Sequence, residues 1–197
     1  MDYGKGEEKM RENRKGIQVP YSTGRNYPKL IVPENACDSH HHIFNPVQFP
    51  YNDTDVRNQP PATVDVYQML QKKLGLTRSV IVTPSAYGTD NSCTMDALRQ
   101  MGQNARAVVV VDESISDDEL KRMDQAGVRG IRFNVSRGSS CNEDMIRRMA
   151  DRIAGLEWSM DFWMSADTTV EKARILEELP CKIVFDHRGH LPADQGI

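Results

Sequence analysis

From residue 63 onward, apolar residues recur every three or four positions in some stretches and cluster in short runs in others. Thr63 precedes Tyr67, Leu70 and Leu74, spaced i, i+3, i+7, and Gly75 follows, which predicts a capped helix. The β-branched run 79–83 has strand length. Met95, Leu98 and Met101 mark a second helix ending at Gly102, and the unbroken apolar run 107–111 predicts a strand covered on both faces. Ser116 with Glu119 three residues on forms a capping box, opening a helix that Gly127 closes. A strand at 128–135, a helix through Met145, Met149 and Ile153, and a strand at 158–164 follow. That strand alternates Trp158, Met160, Phe162 and Met164. A helix at 168–179, stopped by Pro180, and a strand at 182–187 complete the pattern.

Upstream, the apolar run Leu30-Ile31-Val32 predicts the start of a first strand that ends on Ala36-Cys37-Asp38-Ser39-His40-His41-His42. Residues 1–30 are polar and broken by Gly and Pro, the composition of a mobile arm, leaving residues 31–197 as one domain. The Pro-, Asn- and Asp-rich segment 45–61 reads as a long covering loop with Phe49, Tyr51 and Arg57 as its notable side chains. Strand and helix alternating at this spacing mean repeated β-α units on a parallel sheet. No glycine-rich phosphate loop follows any strand, which disfavours an open doubly wound sheet. Polar groups recur at strand ends, which favours a (β/α)8 TIM-type barrel, here with about six β/α units and the C-terminal units missing.

Composition narrows the function. With 39% hydrophobic and 27% charged residues the chain is globular in class, and a net charge of -3 gives no electrostatic footprint for nucleic acid. No apolar run reaches membrane-spanning length and the charged N-terminus has no signal-type core, so no membrane partner is expected. The four cysteines lack any C-x-x-C spacing, which argues against structural zinc and for free thiols in a reducing compartment, hence the cytoplasm. Oligomeric state stays open.

Three of the five histidines stand in a row at 40–42. In an extended backbone His40 and His42 face one way and His41 the other, a pair able to bind a metal or to polarise a substrate oxygen. Asp38, two before His40, falls on the same side by that alternation. Other strand ends carry Ser85, Arg132, Asn134 and His187, and Asp186 alternates away from His187.

Cys37-Asp38-x-His40-x-His42-Ile43-Phe44, Pro84-Ser85-x-Tyr87-Gly88-Thr89-Asp90-Asn91, Gly127-Val128-Arg129-Gly130-Ile131-Arg132-Phe133-Asn134 and Asp186-His187-x-Gly189 follow one another in order. Together they resemble the motifs of the amidohydrolase-related family that includes 2-pyrone-4,6-dicarboxylate lactonase and sugar-acid lactone hydrolases and isomerases. The resemblance covers about residues 33–192. It implies a (β/α)8 barrel and a hydrolase for lactones of sugar acids or polycarboxylic acids, with no cofactor required and a divalent metal, on His40 and His42 if any, as a possibility. It further implies that His40, His42 and His187 polarise the lactone carbonyl, that Arg132 and Arg137 bind carboxylate, and that Ser85 and Tyr51 hydrogen-bond the substrate. Two departures stand out: Thr83 where the family has glutamine, and no last-strand aspartate to act as general base. The second makes a nearly inactive fragment of a longer enzyme the expectation for these 197 residues. Two alternatives stay open, a remnant that binds carboxylated ligands and a metal-dependent amidohydrolase or decarboxylase.

Overall fold

A computed structural model of the chain describes residues 19–20, 26, 28–52, 59–135 and 142–192. Six strands run through them: β1 Cys37–His41, β2 Arg78–Val82, β3 Ala105–Val109, β4 Val128–Asn134, β5 Ser159–Trp163 and β6 Lys182–Phe185. Between them lie helices α1 Val64–Leu74, α2 Ser92–Met101, α3 Asp117–Ala126, α4 Glu143–Ala154, α5 Ala166–Glu171 and α6 Ala173–Glu177. The strands are all parallel and pair in chain order, β1 to β6. Sequential parallel pairing of this kind curls the sheet into part of a (β/α) barrel, with helices outside and strand ends gathered on one rim.

Local chemistry explains the boundaries. The Ser116 hydroxyl accepts from the amide of Glu119 at 3.1 Å and Asn142 accepts from Met145 at 2.8 Å, capping α3 and α4. Gly75 and Gly127, with φ of 80° and 111°, close α1 and α3 in the left-handed region that suits glycine. The single helix expected over 168–179 is instead two short ones, because the backbone leaves helical geometry at Lys172 (φ -97°, ψ 3°).

The run Leu30-Ile31-Val32 does not belong to β1, and Leu30 is 73% exposed. The ladder begins only where Thr77 and Arg78 donate to the carbonyl of Ala36, so upstream apolar residues have no strand to pair with. Residues 1–18, 21–25 and 27 of the expected arm lie outside the described residues.

Outward-facing strand residues and inward-facing helix residues make the core. Ile81, Val109, Ile131, Phe133, Met160 and Phe162 pack with Leu98, Leu120, Ile146, Met149 and Ile153, all almost fully buried. Phe133 and Phe162 are register partners on β4 and β5 and stack at 5.9 Å between ring centroids. Thr83 also faces outward. Its hydroxyl lies 2.8 Å from both Asn91 and Thr94, tying the end of β2 to α2. The opposite strand face carries Arg132, Asp161 and Asn134, and it holds the site.

Candidate functional site

β1 has one residue more than its partner: Asp38 pairs with Ser79 and His41 with Ile81, three positions set against two. This bulge resets the alternation. Asp38 and His41 both face α1, where the Tyr67 hydroxyl donates to Asp38 at 3.1 Å and the Tyr67 ring stacks on His41 at 3.5 Å. The placement of Asp38 beside the His40 ring is thereby corrected: its carboxylate accepts from the backbone amide of His40, at 3.2 Å, on the outer face.

His40 and His42 face inward. Their ring centroids are 5.0 Å apart, and His187 brings its ring to 5.3 Å from His40. His40 is thus the middle member of a row of three imidazoles, and its Nε2 is buried with no hydrogen-bond partner. His190 extends the row, 5.2 Å from His187 and 5.5 Å from Trp163.

His42 Nδ1 lies 2.7 Å from the carbonyl of Val82. A carbonyl only accepts, so Nδ1 carries the proton and Nε2 presents a lone pair. Burial lowers the His42 pKa to about 4, with the Val82 carbonyl opposing and His40 assisting. At neutral pH the ring is therefore an uncharged acceptor with the proton affinity of a carboxylate. Burial lowers His187 as well.

Asp186 is the residue that strand alternation misplaces. β6 ends at Phe185, and His187, Arg188 and Gly189 take left-handed backbone conformations with φ of 50°, 59° and 69°. The alternation stops there, and Asp186 and His187 end in one cluster. Asp186 is 3% exposed. Its Oδ2 accepts from Nε of Arg132 at 2.7 Å, and its Oδ1 faces Nδ1 of His40 at 3.3 Å. That second contact is an ion-pair distance without hydrogen-bond alignment, and Oδ1 has no other donor. Burial alone would raise this carboxyl, but His40 and Arg132 together hold it below the usual carboxylate range. Asp161, the register partner of Arg132, lies in the same buried layer. Burial pushes its carboxyl up to about 6, the Ser159 hydroxyl opposing at 2.7 Å and Asp186 assisting.

In front of this layer opens a cavity of about 260 Å³ walled by His42, Phe44, Gln59, Pro84, Ser85, Ala86, Arg132, Asn134, Trp163 and His187. The guanidinium of Arg132 sits 5.9 Å from the centre of the Trp163 ring, in cation–π range. Of the residues singled out from the sequence, His42, Ser85, Arg132, Asn134 and His187 meet at this wall, and His40 stands behind it between two of them. Tyr51 is not among the wall residues. Its hydroxyl donates to the carbonyl of Gln59 at 2.7 Å and its ring packs near Phe44 and Tyr87. Arg137 and Arg57 lie outside the described residues. Trp163 and Asp161 escaped sequence reasoning, although a signal existed: Trp158, Met160, Phe162 and Met164 claim the outer face of β5, which assigns Ser159, Asp161 and Trp163 to the other.

His40, Asp186 and His187 each offer a ligand atom within 4.8 Å of the others, a donor set that divalent cations accept. The buried, hydrogen-bond-free His40 Nε2 and Asp186 Oδ1 fit such an ion. The grouping differs from the expected His40–His42 pair, because the lone pair of His42 is not part of it and Asp186 is.

A parallel β/α sheet whose strand ends gather imidazoles, a buried carboxylate and an arginine around one cavity has the arrangement on which (β/α) barrel proteins build their sites. The chain belongs to the amidohydrolase family, whose model matches residues 37–196. It is 34% identical over 175 residues to a 2-pyrone-4,6-dicarboxylate hydrolase of Comamonas testosteroni, covering 86% of this chain and 57% of the relative. A 4-sulfomuconolactone hydrolase of Hydrogenophaga intermedia is 27% identical, with coverage of 86% and 57%, and a D-galactarolactone isomerase of Agrobacterium fabrum is 24% identical, with coverage of 82% and 56%. The chain thus spans a little over half the length of these curated relatives. Among solved structures it shares its fold with a probable 2-pyrone-4,6-dicarboxylic acid hydrolase from Acinetobacter baumannii with citric acid bound. The TM-score there is 0.75 at 24% identity, over 83% of this chain and 62% of that one.

Proposed function

We propose that this chain carries the site of a hydrolase acting on a carboxylated lactone, the cyclic ester of a polycarboxylic or sugar acid. The observation that supports the reading most is the meeting of Arg132 and the imidazoles His42 and His187 on one small cavity. A guanidinium fixed by Asp186 and Trp163 is built to meet a carboxylate. With Nε committed to Asp186, a ligand carboxylate meets Arg132 through its terminal nitrogens. The lactone carbonyl then faces His187 and Ser85, whose N–H and O–H can donate to the negative charge that develops as water adds. His42, whose Nδ1–H donates to the Val82 carbonyl, serves better as an acceptor for the proton of the attacking water than as a donor to the lactone carbonyl. His40 supports both rings from behind. The relatives named above handle pyrone dicarboxylate, sulfomuconolactone and galactarolactone, and their common chemistry is an anionic group on a lactone ring.

A second reading rests on the His40–Asp186–His187 cluster: a bound divalent ion would be held by these three and would supply Lewis-acid polarisation of the carbonyl. Elemental analysis of purified protein separates the two. Stoichiometric zinc or manganese, with turnover lost on chelation, favours the metal. Turnover of 2-pyrone-4,6-dicarboxylate that survives chelation and falls in His42→Ala and Arg132→Met favours the imidazoles. No turnover of any carboxylated lactone by the chain would leave the ligand-binding remnant as the better account. No described helix is long and apolar enough to cross a membrane. Free Cys37, Cys93 and Cys181 agree with a cytoplasmic location, which belongs to this proposal.

A further inference from the structure

We propose that Asp186 is a positioning residue that locks the carboxylate-binding arginine and the imidazole row into one fixed spacing, and so selects lactones whose carboxylate and carbonyl are separated to match. This rests on the lactone reading of the cavity. The two oxygens of one almost fully buried carboxylate reach in two directions, Oδ2 to Nε of Arg132 at 2.7 Å and Oδ1 to Nδ1 of His40 at 3.3 Å. Arg132 walls the cavity directly. His40 touches it through its neighbours, since its ring lies 5.0 Å from His42 and 5.3 Å from His187, both wall residues. A shift of the carboxylate therefore moves the guanidinium and the imidazoles together.

Three features make Asp186 more than a neutralising counter-ion. The guanidinium is held on its face as well as its edge, by Trp163 at 5.9 Å, so pairing at Nε leaves it little rotational freedom. The negative carboxylate 3.3 Å from His40 Nδ1 also biases the tautomer, since its charge favours the ring form that carries its proton on that side. And Asp186 sits at the start of a left-handed turn whose backbone is set by His187, Arg188 and Gly189, so its carboxylate has a fixed origin on the rim. Asp161 stands beside Arg132 in the sheet but bonds to Ser159, so it does not duplicate this role.

The test uses the chelator-treated 197-residue chain and two readouts that do not depend on turnover. One is the affinity for benzene-1,3-dicarboxylate, a planar unreactive dicarboxylate, by calorimetry. The other is the ¹⁵N signature of which His40 ring nitrogen is protonated. The wild-type chain is expected to bind the dicarboxylate and to hold His40 as a single tautomer with Nδ1 protonated. Asp186→Asn should weaken binding by at least about tenfold and mix the tautomers. Arg132→Met should weaken binding but leave the His40 tautomer alone, and the two substitutions should be non-additive on affinity. Should Asp186→Asn fail to fold, the charge-neutral D186N/R132M chain decides, because His40 must lose its single tautomer there too. An unchanged tautomer and unchanged affinity in Asp186→Asn, or strict additivity with Arg132→Met, overturns the proposal. Wild-type chain that fails to bind the dicarboxylate counts against the lactone reading and takes the selectivity claim with it. A lost tautomer with intact dicarboxylate binding overturns the selectivity claim alone.

Discussion

Arg132 and Asp186 are 6% and 3% exposed, a buried pair whose halves depend on each other. Removing one partner leaves an uncompensated charge, so Arg132→Met is expected to destabilise the chain by about 3–5 kcal/mol. The D186N/R132M double variant should recover most of that loss in a denaturant titration, and equal losses in both would show that the carboxylate left alone carries no burial penalty. His41 presents a different case. Both ring nitrogens are buried without a hydrogen-bond partner, and burial lowers its pKa to about 3. Its contribution is the stacked contact with Tyr67, which an apolar ring reproduces without the unmet polar atoms. His41→Phe should therefore melt at the same temperature as the wild-type chain or higher at pH 7. A clear fall in Tm would mean that those nitrogens are met by water.

Among elements, β4 lies close against β5 at Gly130. A Cβ added to Gly130 would lie 2.5 Å from the Ser159 hydroxyl, 3.1 Å from the Ser159 carbonyl and 3.3 Å from Val108. The carbonyl belongs to the paired strand and cannot turn aside. Gly130→Ala is expected to cost about 1–3 kcal/mol by forcing β4 and β5 apart, read as a lowered Tm, and an unchanged Tm would show that the strands yield. Much of this element layer was legible in the sequence. Periodicity, apolar runs and capping residues mark five of the strands and most of the helices, because the segments are punctuated by Thr, Ser, Gly or Pro. The first strand was displaced, since Leu30-Ile31-Val32 looked like a strand but had no partner. The facing of side chains was legible where regular alternation held, as for His40 with His42 and for Arg132. It failed where the backbone left that regularity: at the bulge that turned Asp38 outward, and at the left-handed turn that brought Asp186 in. Neither event leaves a mark in residue type.

For the whole molecule, three buried groups dominate the response to acid between pH 6 and 4, since Asp186, held below the usual carboxylate range, acts only at lower pH. His41 and His42 have folded pKa values of about 3 and about 4, below the unfolded 6.5. Below pH 6.5 the unfolded chain takes up protons that the folded chain refuses, so stability falls as pH drops, by about 1.4 kcal/mol per unit for each ring until its folded pKa is reached. Asp161 acts in the opposite sense. Its folded value of about 6 lies above 3.8, so between those limits the folded chain holds the extra proton and gains stability on acidification. Between pH 6 and 4 one ring is offset by the carboxyl, and the net loss is about 1.4 kcal/mol per unit. Denaturant titrations across that range should show this slope, and Asp161→Asn should about double it. A slope of the opposite sign would mean that the histidines are charged in the folded chain.

The extra residue in β1 also predicts which length changes this rim tolerates. Ser39 is the surplus position between the pairings Asp38–Ser79 and His41–Ile81, and its side chain is exposed. Deleting Ser39 would set His40 opposite Val80 in an unbroken ladder and leave every neighbouring side chain pointing as before. Deleting His41 instead would swing His42 through to the helix side, onto Tyr67, and strip the cavity of its acceptor. Of two single-residue deletions two positions apart, one should be nearly silent and the other should abolish ligand binding.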